Sequence, residues 1–208
     1  QMHVWSSNIV DGITIALEQA GLHTRDERHP AMCFLDLTGF TQLTEELGDA
    51  EAARTIERSN RIVRPISVRH DGRPVKWLGD GVMFHFPDPG AGVLGAIEMV
   101  EALAEAGLPP AHVGLHAGPV VRQEGDYHGQ TVNLAARIGE YARPGEVLVS
   151  RAVKDASDPE LVAFREVGLV GLKGVSGAVD LYTATSAPGR TTVIGKSFAA
   201  GQVPGPGH

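Results

Sequence analysis

Two isolated carboxylates, each bounded by short apolar runs, are the residues of this sequence best suited to chemistry. Asp36 lies in residues 34–41, where an apolar, strand-like run passes into a Thr-Gly turn. Asp80 lies in the Gly-Asp-Gly tip that ends residues 76–81, between two further apolar runs. Hard cations such as Mg²⁺ are commonly bound by one or two carboxylates together with substrate phosphates. The pattern therefore predicts that the two carboxylates converge on a site for a metal and a nucleotide.

A second group of polar side chains lies farther along the chain. Asn133 and Arg137 are four residues apart, so they share one face of a predicted helix, and Asp126 lies just ahead of its start. A salt-bridged helix surface would give the same pattern. Beside two converging carboxylates, however, an amide and a guanidinium are better interpreted as groups that read a ligand.

The elements that must position these side chains are predicted from hydrophobic periodicity and turn residues. Pro65 is expected to kink the long second helix or to end it early. Strands are predicted at residues 31–37, 75–78, 82–86, 112–116, 119–123, 147–150, 164–170 and 179–183. Helices are predicted from about residue 41, over residues 49–68 and 90–106, around residues 133–137, and briefly before residue 155.

Length favours one domain with appendages, since 208 residues suffice to bury a substantial core. We divide the chain into an N-terminal helix and linker (1–29), a core domain (30–186) and a flexible tail (187–208) that is rich in Gly, Pro, Ser and Thr. The N-terminal helix, with apolar positions over residues 9–20, either packs on the domain or connects it to an upstream regulatory domain.

Composition excludes several classes of protein. The formal net charge of -7 argues against nucleic acid as a partner. Cys33, the single cysteine, lies in an apolar run and is expected to be a buried hydrophobe, so the chain fits a reducing compartment. The sequence has no apolar run long enough for a membrane segment, which predicts a cytoplasmic domain. Because the chain opens at Gln1, we expect a longer parent protein, which could be tethered to a membrane.

Two further patterns invite a functional interpretation that we do not favour. Residues 90–95 match the G-x-G-x-x-G fingerprint of dinucleotide-binding folds. Residues 87–89 separate these glycines from the preceding strand, and the next strand ends without an acid, so we interpret them as glycines of a helix start. His116 alternates with apolar positions on a strand, and we expect it to have a packing or hydrogen-bonding role.

Four motifs, in order, resemble those of the class III nucleotidyl cyclase catalytic domain, the adenylyl/guanylyl cyclase family. They are F-x-D-L-T-G-F-T at residues 34–41, K-x-L-G-D at 76–80, H-x-G at 116–118 and D-x-x-G-x-x-V-N-x-A-x-R at 126–137. The resemblance covers about residues 30–185. It implies an α+β fold with a ferredoxin-like βαββαβ core, an antiparallel-rich sheet with helices packed on it, and an extra C-terminal hairpin.

The resemblance also implies roles for the matching residues. Two divalent metal ions, Mg²⁺ or Mn²⁺, would be held by Asp36, Asp80 and the backbone carbonyl of Leu37. Asn133 would orient the ribose and Arg137 would stabilise the transition state. The purine would be read by Lys76 and Asp126, and the polyphosphate would contact the helix start at Thr38, Gly39, Phe40 and Thr41, with Arg122 and Lys173 as further candidates.

Substrate and assembly follow from the same comparison. An acceptor on Asp126 and a donor on Lys76 match the N6 amino group and N1 of adenine, whereas guanine reverses that edge and guanylyl members carry Glu and Cys-type residues there. The resemblance thus implies conversion of ATP to 3′,5′-cyclic AMP and pyrophosphate. Because the family divides these residues between two chains, it implies a homodimer with composite sites. A guanylyl cyclase and a catalytically silent, nucleotide-binding regulatory dimerisation module are the alternatives.

Overall fold

The computed structural model describes residues 29–123 and 125–188, so the predicted N-terminal helix and most of the predicted tail lie outside the described residues. The described elements are, in chain order, β1 (Ala31–Leu37), α1 (Phe40–Leu47), α2 (Asp49–Arg69), β2 (Arg73–Leu78), β3 (Gly81–Phe86), α3 (Pro89–Glu105), β4 (Ala111–Ala117), β5 (Val121–Gln123), β6 (Asp126–His128), α4 (Gln130–Tyr141), β7 (Val147–Ser150), α5 (Arg151–Asp155), β8 (Val162–Gly171) and β9 (Ala178–Ser186).

Seven of the described strands form one sheet in the order β2-β3-β1-β4-β7-β9-β8, while β5 and β6 form a separate hairpin. Every pair in the large sheet is antiparallel except β4 with β7. The first four strands in that order, connected through α2 and α3, make the predicted βαββαβ core, and β8 with β9 makes the predicted C-terminal hairpin. The predicted α+β fold is confirmed.

The central strand β1 has apolar side chains on both faces, so both faces of the sheet have to be covered. Its side chains alternate with a period of two, so Cys33 and Leu35 join the large apolar cluster that includes residues of α2 and α3. Met32 and Phe34 join a second cluster on the opposite face, which includes Ala135 of α4. Cys33 is fully buried, and burial raises the pKa of its thiol far above the usual value, so the expected inert, buried cysteine is confirmed.

A close approach of two glycines seats α4 on the second face. A Cβ atom added to Gly114 of β4 would lie 2.0 Å from the backbone nitrogen of Gly139 in α4. Only glycine allows the helix to lie this close to the strand. The contact fixes the position of α4, and with it the face that carries Asn133 and Arg137.

Of the two outcomes expected at Pro65, a kink or an early end of the helix, the structure excludes the early end. Helix α2 continues past Pro65 to Arg69 instead of ending early. Pro65 is exposed, and the buried Val63 and Ile66 on either side of it anchor the helix to the core, so packing outweighs the lost backbone hydrogen bond.

Residues 119–128 also differ from the prediction. Strand β5 begins only at Val121, and residues 126–128, for which no strand was predicted, form β6 and pair with β5. A strand this short has too few residues to show alternation, and its pairing partner is set by the tertiary fold. Asp126 therefore lies on a strand.

The glycines of residues 90–95 lie in the first turns of α3, as expected for a helix start. Asp88 caps this helix by accepting a hydrogen bond from the amide of Ala91 at 2.7 Å. A Cβ atom at Gly92 would lie 3.1 Å from Phe86, so the glycine serves close packing of helix and strand. None of the described helices is both long and apolar enough to span a bilayer.

Candidate active site

Asp36 and Asp80 meet at one end of the sheet, although 44 residues separate them in sequence. Asp36 is the penultimate residue of β1, and Asp80 lies in the turn between β2 and β3. Burial and repulsion from Asp80 raise the pKa of Asp36 to about 6. The two side chains line one cleft of about 280 Å³. The prediction that the two carboxylates converge is therefore met within a single chain.

Gly81 allows this approach. It follows Asp80 directly, and a Cβ atom added there would lie 3.0 Å from Oδ1 of Asp36 and 3.3 Å from the carbonyl oxygen of Leu35. Any larger residue would crowd the carboxylate, so the Gly-Asp-Gly tip needs a glycine at position 81 for steric reasons.

The carboxylate pair suits divalent cations. Burial first and repulsion from Asp80 second raise the pKa of Asp36, and a positive charge between the two carboxylates would oppose both effects. The part of the chain that the structure describes has no cluster of three or more His, Cys, Asp or Glu side chains arranged to hold a metal. Two carboxylates that leave the remaining positions to water and substrate phosphates are typical of Mg²⁺ sites.

His112 also lines this cleft, and sequence reasoning did not assign it a role. It lies directly opposite Asp36 in the register of β1 with β4. Its Nδ1 atom shares a hydrogen bond of 3.1 Å with Oγ1 of Thr38, and burial lowers its pKa while the nearby Asp80 opposes that change. The sequence placed His112 at the start of a predicted strand. That position indicates a neighbour of Asp36 only once the antiparallel register of β1 with β4 is known.

The turn after β1 begins α1 through Gly39. This residue has φ +73°, in the left-handed region that favours glycine, and no side chain caps the helix. The amide of Thr38 donates to the carbonyl of Pro110 at 2.8 Å, so its own N–H is occupied. The first amides of a helix have no partner within it, so the helix start at Phe40 and Thr41 offers donors to an anion.

Lys76 and Asp126 form an ion pair. Nζ of Lys76 on β2 donates to Oδ2 of Asp126 on β6 at 3.0 Å, across 50 residues of sequence. The other oxygen of Asp126 accepts the amide of Tyr127 at 2.8 Å, and hydrogen bonding to Lys76 is the main cause that lowers the pKa of Asp126. The two side chains are 53% and 29% exposed, so a ligand can reach both.

Asn133 and Arg137 on α4 do not line the cleft of the two carboxylates, whereas Glu140 on the same helix does. Asn133 lines a separate cleft of about 710 Å³ together with His116 and Gly174. Arg137 lines neither cleft directly, and its Nη1 atom donates to both carboxylate oxygens of Glu140, at 2.7 and 2.6 Å. Within one chain, the structure therefore does not bring Asn133 and Arg137 to the carboxylate pair.

The two weaker phosphate candidates lie in different places. Lys173 is exposed in the turn between β8 and β9, next to Gly174, which lines the cleft of Asn133. Arg122 on β5 lies opposite Tyr127, and its charge helps to lower the pKa of His85 after burial and Arg73. Arg122 does not line the cleft of the carboxylate pair.

His116 has the hydrogen-bonding role expected for it. Its Nδ1 atom lies 2.8 Å from Oγ of the buried Ser150 on β7, and burial lowers its pKa. The pair links β4 to β7 on the side of the sheet that α4 covers.

Solved structures of cyclase domains share this architecture. The adenylyl cyclase CyaB of P. aeruginosa matches with a TM-score of 0.67 and 24% identity, covering 77% of this chain and 95% of that one. The catalytic core of a rhodopsin-guanylyl cyclase with converted specificity, in complex with ATPαS, matches with a TM-score of 0.70 and 22% identity, covering 78% and 99%. At these identities the likeness is one of fold.

Curated relatives are more similar in sequence. A pH-sensitive adenylate cyclase of Mycobacterium tuberculosis is 32% identical over 83% of this chain and 44% of its own length. An adenylate cyclase of Streptomyces coelicolor is 30% identical over 79% of this chain and 42% of its own length. The chain thus spans less than half the length of these relatives. The family model for the adenylate and guanylate cyclase catalytic domain matches residues 24–186, most of the chain, and the chain therefore belongs to that family.

Proposed function

We propose that this chain is the catalytic domain of an adenylyl cyclase, which converts ATP to 3′,5′-cyclic AMP and pyrophosphate at composite sites of a homodimer. The family includes enzymes for both adenine and guanine nucleotides, so the choice of base has to come from the chain itself. The observation that carries it is the ion pair of Lys76 with Asp126, which joins a donor and an acceptor from separate strands.

The pair matches adenine in its hydrogen-bonding groups. Adenine offers an amino donor at N6 and an acceptor at N1, which Asp126 and Lys76 complement, whereas guanine offers an acceptor at O6 and a donor at N1. With guanine each side chain would face a group of its own kind. A buried polar group left unpaired costs about 1–3 kcal/mol, so we expect a clear preference for ATP over GTP.

The carboxylate pair and the helix start would serve the triphosphate. Asp36, Asp80 and the carbonyl of Leu37 would hold two divalent ions, Mg²⁺ or Mn²⁺, which when bound neutralise phosphate charge and acidify the ribose 3′-hydroxyl. The amides at the start of α1 would donate to phosphate oxygens. Each of these groups lies at the same end of β1, so one triphosphate can contact them together.

Asn133 and Arg137 would act on the sugar and the reacting phosphorus. An amide can exchange hydrogen bonds with ribose hydroxyl groups. A guanidinium has a permanent positive charge that can stabilise the negative charge of the transition state. Such preorganised charges are worth several kcal/mol, on the order of a thousandfold in rate. In one chain both side chains lie away from the cleft of Asp36, which supports the supply of the two halves by different copies.

The test is to incubate the purified chain with Mn²⁺ and either ATP or GTP and to measure both cyclic nucleotides. We expect cyclic AMP from ATP to form faster than cyclic GMP from GTP, and Arg137→Ala to be nearly inactive, which controls for contaminating cyclases. Cyclic GMP as the main product would identify a guanylyl cyclase. Absence of product from both nucleotides, in folded protein, would refute the enzymatic proposal.

A further inference from the structure

Glu140 contacts two groups of one chain that the proposed roles assign to different composite sites: Arg137 and the cleft of the carboxylate pair. It follows Arg137 by three residues and Asn133 by seven, so all three side chains share one face of α4. Both of its carboxylate oxygens bond Nη1 of Arg137, at 2.7 and 2.6 Å. The same side chain lines the cleft that contains Asp36 and Asp80.

We infer that Glu140 is a positioning residue that restrains Arg137 in the resting enzyme, so that a substrate phosphate has to displace the carboxylate before the guanidinium can act. The inference rests on the proposed function and concerns the same reaction. Its effect is on the rate, because the arginine is needed in the transition state rather than for holding the purine.

The geometry of the pair makes this exchange feasible. Both oxygens of Glu140 contact a single nitrogen of Arg137, so the guanidinium is held by one end. A phosphate can approach its remaining nitrogens and form the two parallel hydrogen bonds that guanidinium groups favour. Glu140 contacts only this one nitrogen of the arginine. A phosphate can bond two guanidinium nitrogens at once, which gives it the stronger arrangement of hydrogen bonds.

Exposure limits the strength of the restraint. The side chains of Arg137 and Glu140 are 39% and 59% exposed. Ion pairs of this exposure shift an equilibrium by no more than about fivefold. Glu140 thus tunes the availability of Arg137 without preventing catalysis. Its negative charge also opposes the charge that builds up on the transferred phosphoryl group, so both effects have the same sign.

A second helical ion pair provides a matched control. Nη2 of Arg61 donates to Glu57 at 2.6 Å on α2, with both side chains well exposed. Neither residue lines the cleft of the carboxylate pair or that of Asn133. Replacing Glu57 by Gln therefore removes a comparable exposed charge at a site with no contact to the proposed chemistry.

The kinetic test compares Glu140→Gln with Glu57→Gln and the unchanged chain, at saturating Mn²⁺. Saturation is needed because Glu140 lines the cleft of Asp36 and Asp80, and its loss is expected to weaken metal binding there. We expect Glu140→Gln to raise kcat for ATP about two- to fivefold with KM unchanged, and Glu57→Gln to change neither. An unchanged or lower kcat in a variant with unaltered thermal stability would overturn the inference.

A second measurement does not depend on activity. Nitrogen NMR of arginine side chains in the metal-free protein reports rotation of the guanidinium group, and the Arg137 signal is assigned by its loss in Arg137→Lys. We expect faster rotation of Arg137 in Glu140→Gln than in Glu57→Gln. Equal rotation in all three proteins would overturn the inference. Faster rotation in a protein that forms no cyclic nucleotide would instead refute the proposed function alone.

Discussion

Asp36→Asn is expected to stabilise the metal-free protein while abolishing its activity. The pKa of Asp36 rises from its ordinary 3.8 to about 6 because of burial first and repulsion from Asp80 second. In the absence of metal, keeping this carboxylate ionised therefore costs folding free energy at neutral pH. Asparagine has nearly the same shape and carries no charge, so it removes the cost without leaving a void.

The size of the gain follows from the pKa change. A shift of about two pH units corresponds to at most ~3 kcal/mol, and the partial exposure of the cleft reduces this to about 1–2 kcal/mol. For a domain of this size each kcal/mol raises the melting temperature by about 2–4 °C. We therefore expect Asp36→Asn to raise Tm by roughly 3–6 °C at neutral pH.

The pH dependence has a definite sign. Below pH about 4, Asp36 is protonated in both the folded and the unfolded chain, so ionisation costs nothing. Between pH about 4 and about 6 the unfolded chain has released its proton while the folded chain retains it, so stability falls as pH rises; above about 6 both are ionised and the loss is complete. The advantage of Asp36→Asn should thus be small in acid, grow between these two values and stay constant above them.

The assay is thermal unfolding followed by circular dichroism, in chelator at about pH 5 and about pH 8. Asp80→Asn should give a smaller gain because it removes the repulsion but leaves Asp36 buried. Asp155→Asn, at an exposed position, should have little effect. Adding Mn²⁺ should raise Tm of the unchanged chain but not of Asp36→Asn. A gain that is equal at both pH values, or a lower Tm for Asp36→Asn throughout, would refute the reasoning.

Three further predictions concern the composite site and the packing that supports it. Asp36→Ala and Arg137→Ala should each be nearly inactive, and mixing the two proteins should restore cyclase activity through one intact site. Lys76→Glu combined with Asp126→Cys should shift product formation from cyclic AMP toward cyclic GMP. Gly114→Ala should lower the unfolding free energy in denaturant titrations by about 1–3 kcal/mol or more, because its Cβ atom would overlap the backbone of α4.

Each of these has a contrary outcome. A mixture of folded variants that exchange subunits and stay inactive would count against shared sites. An unchanged preference for ATP would remove the purine assignment. Gly171→Ala serves as control for the packing test, because a Cβ atom there has nothing within 4 Å, and equal destabilisation at both glycines would contradict the close-contact argument.

Local patterns in the sequence predicted the elements better than they predicted the site. Strand β1 was predicted to the residue because it is an apolar run, interrupted only by Asp36, that is bounded by a proline and a turn. The ferredoxin-like core and the C-terminal hairpin came from the resemblance, since periodicity does not reveal which strands pair. His112 and Glu140 were missed for the same reason: each faces the carboxylate cleft only through contacts between β1, β4 and α4.

The pair of Lys76 and Asp126 was predicted in part, unlike β1, which was predicted fully, and His112 and Glu140, which were missed. The motifs predicted that both would read the purine, and their contact needed β2 and β6 to lie side by side. No strand was predicted at residues 126–128, so the motifs identified the two partners but not the strand that brings them together. Spacing along the chain constrains residues on one element, whereas contacts between elements depend on packing of the whole sheet.

The β2–β3 hairpin sends two residues that are four apart in different directions, as the proposed division of roles requires. A bulge between Pro74 and Lys76 sets the register so that Lys76 lies opposite Met83, whose side chain packs on the face covered by α4. Without the bulge the register would shift by one residue and Lys76 would point to the opposite face. Asp80, at the tip, lies past the end of the ladder and reaches Asp36. One hairpin thus directs a cation across the α4 face and a carboxylate off its end, and a homodimer with shared sites requires this divergence.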